Sequence, residues 1–247
     1  MIIDKSIKRV TVGNTDIQRI MHGGGILWEK AMVPGPTKLI GGNSQAGFYG
    51  EVPASDFITG DELARRVGLT AGKSQYSDEP WLKFSYLGKV EFVAKKPFRH
   101  SISWDAINTV GAVFGNKRIN INGKIYKVRL MKGKTEGKQD DQSAYKGTIC
   151  HNSEWNKLML PIHKNAPSSW AYKDNVSSPT ENWNIGYTDA DLLTHYKFGT
   201  GAFSWCQEYS TVYRFGRGCY GVSYSSGYAS DVSITSVSWR PVLELVD

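Results

Sequence analysis

The sequence predicts an α+β protein: a small all-β module at the N-terminus, then a larger mixed domain of short helices and antiparallel hairpins. Three observations carry this. Apolar and polar residues alternate through the first thirty positions, Pro34-Gly35-Pro36 breaks the chain, and beyond it capped helical segments alternate with strand-and-turn patterns. With 247 residues, 40% hydrophobic and 21% charged side chains, the chain can bury a sizeable core and does not read as disordered.

In the module, Ile7-Lys8-Arg9-Val10-Thr11-Val12 alternates with strand period, and Ile17 and Ile20 continue it. Gly13-Asn14 and Gly23-Gly24-Gly25 supply turns, and Ile26-Leu27-Trp28 closes the unit with an apolar strand. A unit this small is not stable alone. Its apolar positions Ile7, Val10, Val12, Ile17, Ile20, Leu27 and Trp28 are therefore candidates for anchoring it on another chain or another copy. Proline fixes φ and removes a backbone donor, so the expected boundaries are 1–30 for the module, 31–37 for a Pro/Gly linker and 38–247 for the larger domain.

In that domain, Thr59-Gly60-Asp61-Glu62 has capping-box spacing ahead of Leu63-Ala64-Arg65-Arg66-Val67, with Gly68 as a stop. Ser103 is placed to cap a helix through Ala106, Ile107 and Val110, and Asn152 one through Trp155, Leu158 and Met159 that Pro161 ends. Thr188-Asp189-Ala190-Asp191 leads into Leu192 and Leu193. The clearest strand signal is a pair of alternating runs, 118–121 and 124–130, joined by Asn122-Gly123, the pair a type I′ hairpin favours. Segments 90–94 and 239–245 read as further strands, the latter tying the C-terminus into a sheet.

A net charge of +7 favours an anionic partner such as nucleic acid, teichoic acid or lipopolysaccharide phosphate through long-range attraction. Basic residues are nevertheless spread along the chain, no denser than at Lys95-Lys96, so no specific nucleic-acid partner is expected. No apolar run approaches the roughly 20 residues that span a bilayer. The start lacks the apolar stretch of a secretory signal, so a soluble protein made in a cytoplasm, without membrane insertion, is expected. The three cysteines, Cys150, Cys206 and Cys219, are scattered and odd in number, which predicts reduced thiols.

The five histidines, His22, His100, His151, His163 and His195, have no metalloprotease spacing and no serine-nucleophile elbow as partner. Asp140-Asp141, or Asp189 with Asp191, offer oxygens to a hard cation, but the latter two suit a helix N-terminus better. Neither a catalytic residue, nor a metal, nor a cofactor is expected. The last hundred residues are rich in rings, Gly and Ser: Trp205, Gln207, Glu208 and Tyr209 precede Tyr213, Arg214, Arg217, Tyr220, Tyr224 and Tyr228. Rings cover the C–H faces of sugars and polar groups take the hydroxyls, so Trp205, Gln207, Glu208, Tyr209, Arg217, Tyr220, Tyr224 and Tyr228 are receptor-binding candidates. The alternative is that such rings fill the core, and Trp205 and Trp239 are its strongest candidates.

The pattern from Ile7 to Trp28, Ile-Lys-x-Val-x-Val-Gly-Asn-x-x-Ile-x-x-Ile-x-x-Gly-Gly-x-x-Leu-Trp, resembles the short N-terminal β modules of phage tail and baseplate proteins. Trp81-Leu82-Lys83-Phe84, Phe92-Val93-Ala94-Lys95-Lys96-Pro97, Ser103-Trp104-Asp105-Ala106-Ile107-Asn108 and Gly123-Lys124-Ile125-Tyr126-Lys127-Val128-Arg129-Leu130 are similar to phage tail-fibre and virion structural proteins. So are Ser153-Glu154-Trp155-Asn156-Lys157-Leu158-Met159, Phe203-Ser204-Trp205-Cys206-Gln207-Glu208 and Trp239-Arg240-Pro241-Val242-Leu243-Glu244-Leu245. The closing segment resembles the end of C-type lectin-like domains of the formylglycine-generating-enzyme type.

The resemblance implies a C-type lectin-like fold for 38–247 and a bacteriophage virion structural protein of tail fibre, baseplate or head fibre, not an enzyme. Its partners would be other virion proteins, through the N-terminal module, and host-surface glycan or envelope. It would reside in the virion, assembled in the bacterial cytoplasm, as a homo-oligomer with a trimer the favoured count. A purely structural capsid or baseplate block and a glycan-degrading tail enzyme are the alternatives. Oxidases of that lectin-like type use a copper-binding cysteine pair, but Cys206 and Cys219 depart from its close spacing and have no further soft ligand, so inert thiols are expected. The Glu-Pro-Asn and Trp-Asn-Asp type triplets of calcium-dependent lectins are absent.

Overall fold

The computed structural model describes residues 10–12, 15–17, 19–22, 25–29, 33–134, 150, 152–164 and 181–246, and within 10–29 it describes the backbone and the side chain of Ile20 alone. Ile7, Asp140, Asp141 and His151 lie outside the described residues. In the N-terminal stretch, β1 (Val10–Val12) pairs with β2 (Thr15–Ile17), and β3 (Arg19–His22) with β4 (Gly25–Glu29), as two antiparallel hairpins. Val10, Val12, Ile17, Ile20, Leu27 and Trp28 all stand on these strands, and Ile20 is half-buried.

Among the described residues from 33 onward the chain builds two sheets and four short helices. The elements are β5 (Gly41–Gly42), β6 (Ala46–Val52), α1 (Gly60–Val67), β7 (Lys73–Ser74), β8 (Trp81–Tyr86), β9 (Lys89–Ala94), β10 (Arg99–His100) and α2 (Trp104–Thr109). After them come β11 (Phe114–Ile121), β12 (Lys124–Arg129), α3 (Glu154–Leu158), α4 (Asp189–Leu192), β13 (Phe203–Tyr209), β14 (Arg214–Gly218), β15 (Ser225–Tyr228), β16 (Val237–Trp239) and β17 (Val242–Leu245). One sheet is antiparallel, in the order β11-β12-β17-β9-β8-β6-β5. The other runs β15-β14-β13-β16-β10-β7 and holds one parallel pair, β13 with β16. The mixed α+β class is as the sequence predicts.

Local chemistry sets most element ends. Thr59 Oγ1 accepts the Glu62 N–H at 3.2 Å and Gly68 ends α1; Ser103 Oγ accepts the Ala106 N–H at 3.2 Å and starts α2. Thr188 and Asp191 form a reciprocal capping box on α4, with 2.8 and 3.2 Å contacts. The cap of α3 is Ser153 and not Asn152: its hydroxyl accepts the Asn156 N–H at 3.2 Å. Either residue caps well, and starting the helix at Glu154 brings that carboxylate to Arg129. Asn122 and Gly123, at φ 49° and 80°, make the β11–β12 turn with both residues left-handed, as type I′ requires.

Strand alternation gives the seven-stranded sheet two buried faces. Val128, Leu243 and Phe92 are cross-strand neighbours facing the core shared with the other sheet, where Leu63, Trp104, Phe203, Trp205 and Trp239 also pack. One residue along, Val242, Val93 and Leu82 face the opposite way, toward Trp155, Leu158, Met159 and Leu192. A sheet covered on both sides explains why β8 and β9 read as near-continuous apolar runs. A bulge between Phe48 and Gly50 shifts the parity of β6, so Phe48 lies on the α3 side beside Phe84 while Val52 reaches Trp81 on the other.

The segment 239–245, expected as one strand, is two. Trp239 ends β16 in one sheet and β17 runs in the other, because Pro241 has no N–H to continue a ladder. At the crossing Arg240 is buried and donates to the carbonyls of Ala94, Lys95 and Leu192 and to Ser204 Oγ. The stretch expected as a linker touches the sheet: Val33 packs on the core, and buried Lys83 donates to the Pro36 carbonyl at 2.7 Å. Among the described residues no helix is long and apolar enough to cross a membrane.

A buried ion network fixes α3 to the sheet. Arg129 from β12 donates to both Glu154 oxygens at 2.8 and 3.0 Å, to Glu244 at 3.0 Å and to Glu91 at 2.5 Å. Burial would raise the Glu154 carboxyl, but Arg129 outweighs it and holds it below the usual range. Burial, reinforced by the charge of Glu154, pushes Glu91 well up.

Candidate functional site

The site begins with α3. Its Trp155 is fully buried, lies 5.7 Å from the guanidinium groups of both Arg217 and Arg240, and donates its indole N–H to the Val222 carbonyl at 2.7 Å. Val222 belongs to the turn after β14. From the other side Asp189, at the start of α4, accepts the Val222 N–H at 2.9 Å and the Thr194 hydroxyl at 2.5 Å, and faces His163 at 3.5 Å. Burial would raise the Asp189 carboxyl, yet the contacts from His163 and Thr194 hold it low. Asp189 and Asp191 thus serve the helix start and the loop it anchors, in line with the helix-terminus reading.

These anchors join two loops. The Tyr196 N–H donates to the Cys219 carbonyl at 2.8 Å and the Gly221 N–H to Thr194 at 2.9 Å, with an antiparallel bridge between His195 and Tyr220. A short 3-10 turn, Tyr196–Phe198, follows, and the Lys197 N–H donates to His195 Nδ1 at 3.2 Å. Burial lowers the His195 pKa, outweighing the opposing charge of Asp189. Gly199 closes the turn at φ 153°, where an added Cβ would stand 2.8 Å from the Tyr76 hydroxyl.

The joined loops present rings to solvent. His195 stacks on Tyr196 at 4.8 Å, Tyr196 meets Tyr220 edge-on at 5.2 Å, Tyr220 meets Tyr224 at 4.9 Å, and Phe198 lies 6.0 Å from His195. Tyr196 is 49% exposed, Phe198 53% and Tyr220 36%. Such a surface can stack on a flat, weakly polar ligand face, and exposed Lys197 belongs to the same turn.

Of the sequence candidates, Tyr220 and half-buried Tyr224 belong to this platform. Trp205 and Arg217 are corrected, for neither has accessible side-chain surface. Trp205 is 1% exposed and donates its indole N–H to the Ile102 carbonyl at 2.8 Å, and Trp239 is likewise core. Arg217 spends its donors on Tyr224, Gly133, Asn156 and Ser223, at 2.6 to 3.2 Å, positioning the platform loop from below. Half-buried Tyr228 packs on Phe203 at 5.2 Å, and half-buried Gln207 donates to the Leu130 carbonyl at 2.8 Å. Glu208 accepts the Gly133 N–H at 2.9 Å and keeps some surface open to solvent, yet burial pushes its carboxyl up to about 7. Tyr209 is exposed but stands at the opposite end of β14 from Tyr220.

Sequence reading missed His195, Tyr196 and Phe198. The available signal was three rings in four residues, His195-Tyr196-Lys197-Phe198, before a Gly-Thr-Gly turn. All three cysteines are free and buried, and Cys206 shares a cluster with Cys150 and Phe215 rather than with Cys219. Burial raises each thiol. Among the described residues no group of three or more His, Cys, Asp or Glu is arranged to hold a metal ion. Compared with known proteins, the chain matches no family model, no curated protein and no solved structure.

Proposed function

We propose that this chain is a bacteriophage virion structural protein with an adhesive role. In this reading residues 1–30 attach it to the particle, and the domain from residue 38 onward, lectin-like in kind, is displayed outward to bind host-surface glycan. The observation that carries the adhesive part is the platform of Tyr196, Phe198 and Tyr220 beside His195. Single exposed apolar side chains are ordinary, whereas rings gathered on loops tied by backbone hydrogen bonds call for a ligand. Tyr, Phe and His lose little rotamer freedom on contact, and their loops are already ordered, so binding forfeits little entropy. The charge of +7 favours approach to an anionic envelope.

The anchoring part rests on the two N-terminal hairpins. Each is a two-stranded sheet whose edges must pair elsewhere, on another virion protein or on further copies in a closed homo-oligomer such as a trimer. The experiment is immunogold labelling of particles grown in cells that express the tagged full chain or a version lacking residues 1–30. Label is expected on the particle surface with the full chain and on none with the truncated one. Unlabelled particles in both cases, or equal labelling, would overturn the reading.

A further inference from the structure

We infer that a second ligand site lies at the tip of the β13–β14 hairpin, at the far end of β14 from the platform, and that it takes a carboxylate-bearing sugar. Four side chains from four elements meet there. Trp104, the first residue of α2, lies 5.8 Å from Phe114 of β11 and 6.1 Å from Tyr209 of β13, and Phe114 and Tyr209 are themselves 6.1 Å apart. The Arg214 guanidinium lies 4.8 Å over the Trp104 ring and 5.4 Å from Tyr209. Trp104 is buried and held by its indole N–H on the Cys206 carbonyl at 2.9 Å, which gives the cluster a fixed floor.

The guanidinium has two edges, and the hairpin uses only one. Nη1 donates to the Ser210 carbonyl at 2.9 Å and to Tyr213 at 3.5 Å. On the other edge Nε is buried and has no hydrogen-bond partner among the described residues. An unmet buried donor on a charged group is costly, and the Nε–Nη2 edge is the one that grips a planar carboxylate through two parallel bonds. Phe114 and Tyr209, each 43% exposed, flank it with ring surface suited to the C–H face of a pyranose. Cation and rings together specify a sugar acid: a neutral sugar leaves the guanidinium edge unpaired, and a simple anion leaves the rings bare. The site shares no residue with the platform and does not depend on the platform binding anything.

The experiment is calorimetric titration of the full chain with a hexuronate tetrasaccharide, its methyl ester, a phosphorylated tetrasaccharide and a tetraglutamate peptide. The acidic tetrasaccharide is expected to bind at least tenfold more tightly than the ester and than the other two. Arg214→Lys and Arg214→Met should abolish that preference, and Phe114→Ala should weaken acid and ester alike. Both should happen with an unchanged near-ultraviolet dichroism spectrum, Arg214→Lys covering the case in which Arg214→Met disturbs the hairpin. Tyr196→Ala with Phe198→Ala should leave the titration unaltered, which separates this site from the platform. Equal affinity for acid and ester, no binding of either, a preference for phosphate or peptide, or a preference retained in folded Arg214→Lys would overturn the assignment.

Discussion

Replacing Arg129 with methionine tests how the ion network supports the platform. The substitution keeps the apolar stem but leaves Glu154, 1% exposed, with the Lys132 N–H as a remaining donor. Removing one partner of a buried ion pair costs about 3–5 kcal/mol. For a chain of this size that lowers Tm by roughly 6–20 °C. The pH dependence gives the sign. In the wild type Glu154 titrates below its unfolded value, so its contribution is present above about pH 4.3 and is lost as pH falls further. In Arg129→Met the same carboxylates are buried without their cation, a penalty that protonation relieves. The stability gap in urea unfolding should therefore be widest at pH 7 and close toward pH 4. Because Glu154 starts α3 and Trp155 beside it holds Val222, the variant should also speed hydrogen exchange at Tyr196 and Gly221. A cost under about 1 kcal/mol at pH 7, or a gap that does not change with pH, would refute the reasoning.

Glu208 has a raised carboxyl, so its contribution to stability is present below about pH 4.5 and lost as pH rises to about 7. The full shift corresponds to about 3 kcal/mol, and Glu208→Gln should flatten the urea-unfolding profile across that window. Gly123→Ala forces an alanine to φ 80° and should cost about 1–2 kcal/mol by the same measurement, with the fold retained. The buried thiols Cys150, Cys206 and Cys219 should ignore a disulfide reagent at pH 8 in the native protein and all react in denaturant; a fast native reaction, or a Cys206 to Cys219 bridge in the mass spectrum, would contradict their burial as free thiols.

What the sequence reveals follows the range of the interactions. Thr59, Ser103, Thr188 and the Asn122-Gly123 turn act over two to four residues, and each forms where the pattern puts it. Alternation likewise marks strands β1 and β11–β12. Partner choice across long separations is not visible in such patterns. Arg217 looks like a surface cation in a Gly- and aromatic-rich stretch, and only the fold supplies Gly133 and Asn156 to bury it. Trp205 is read both ways, and its indole bond to Ile102 across 103 residues decides for the core. The platform is half legible for the same reason: Tyr220 stands out in its own segment, but its neighbours Tyr196 and His195 come from a loop that pairing through Cys219 and Thr194 brings alongside.

The central claim is that the platform binds glycan, and its most direct measurement compares the full chain with a Tyr196→Ala and Phe198→Ala double variant on an array of bacterial surface glycans. Both rings are about half exposed, so Tm should move by no more than a few degrees. The wild type is expected to bind a set of saccharides that the double variant binds at least tenfold more weakly, a difference of about 1.4 kcal/mol. A wild-type chain that binds no saccharide, or a folded double variant that binds the same set equally well, would contradict the account.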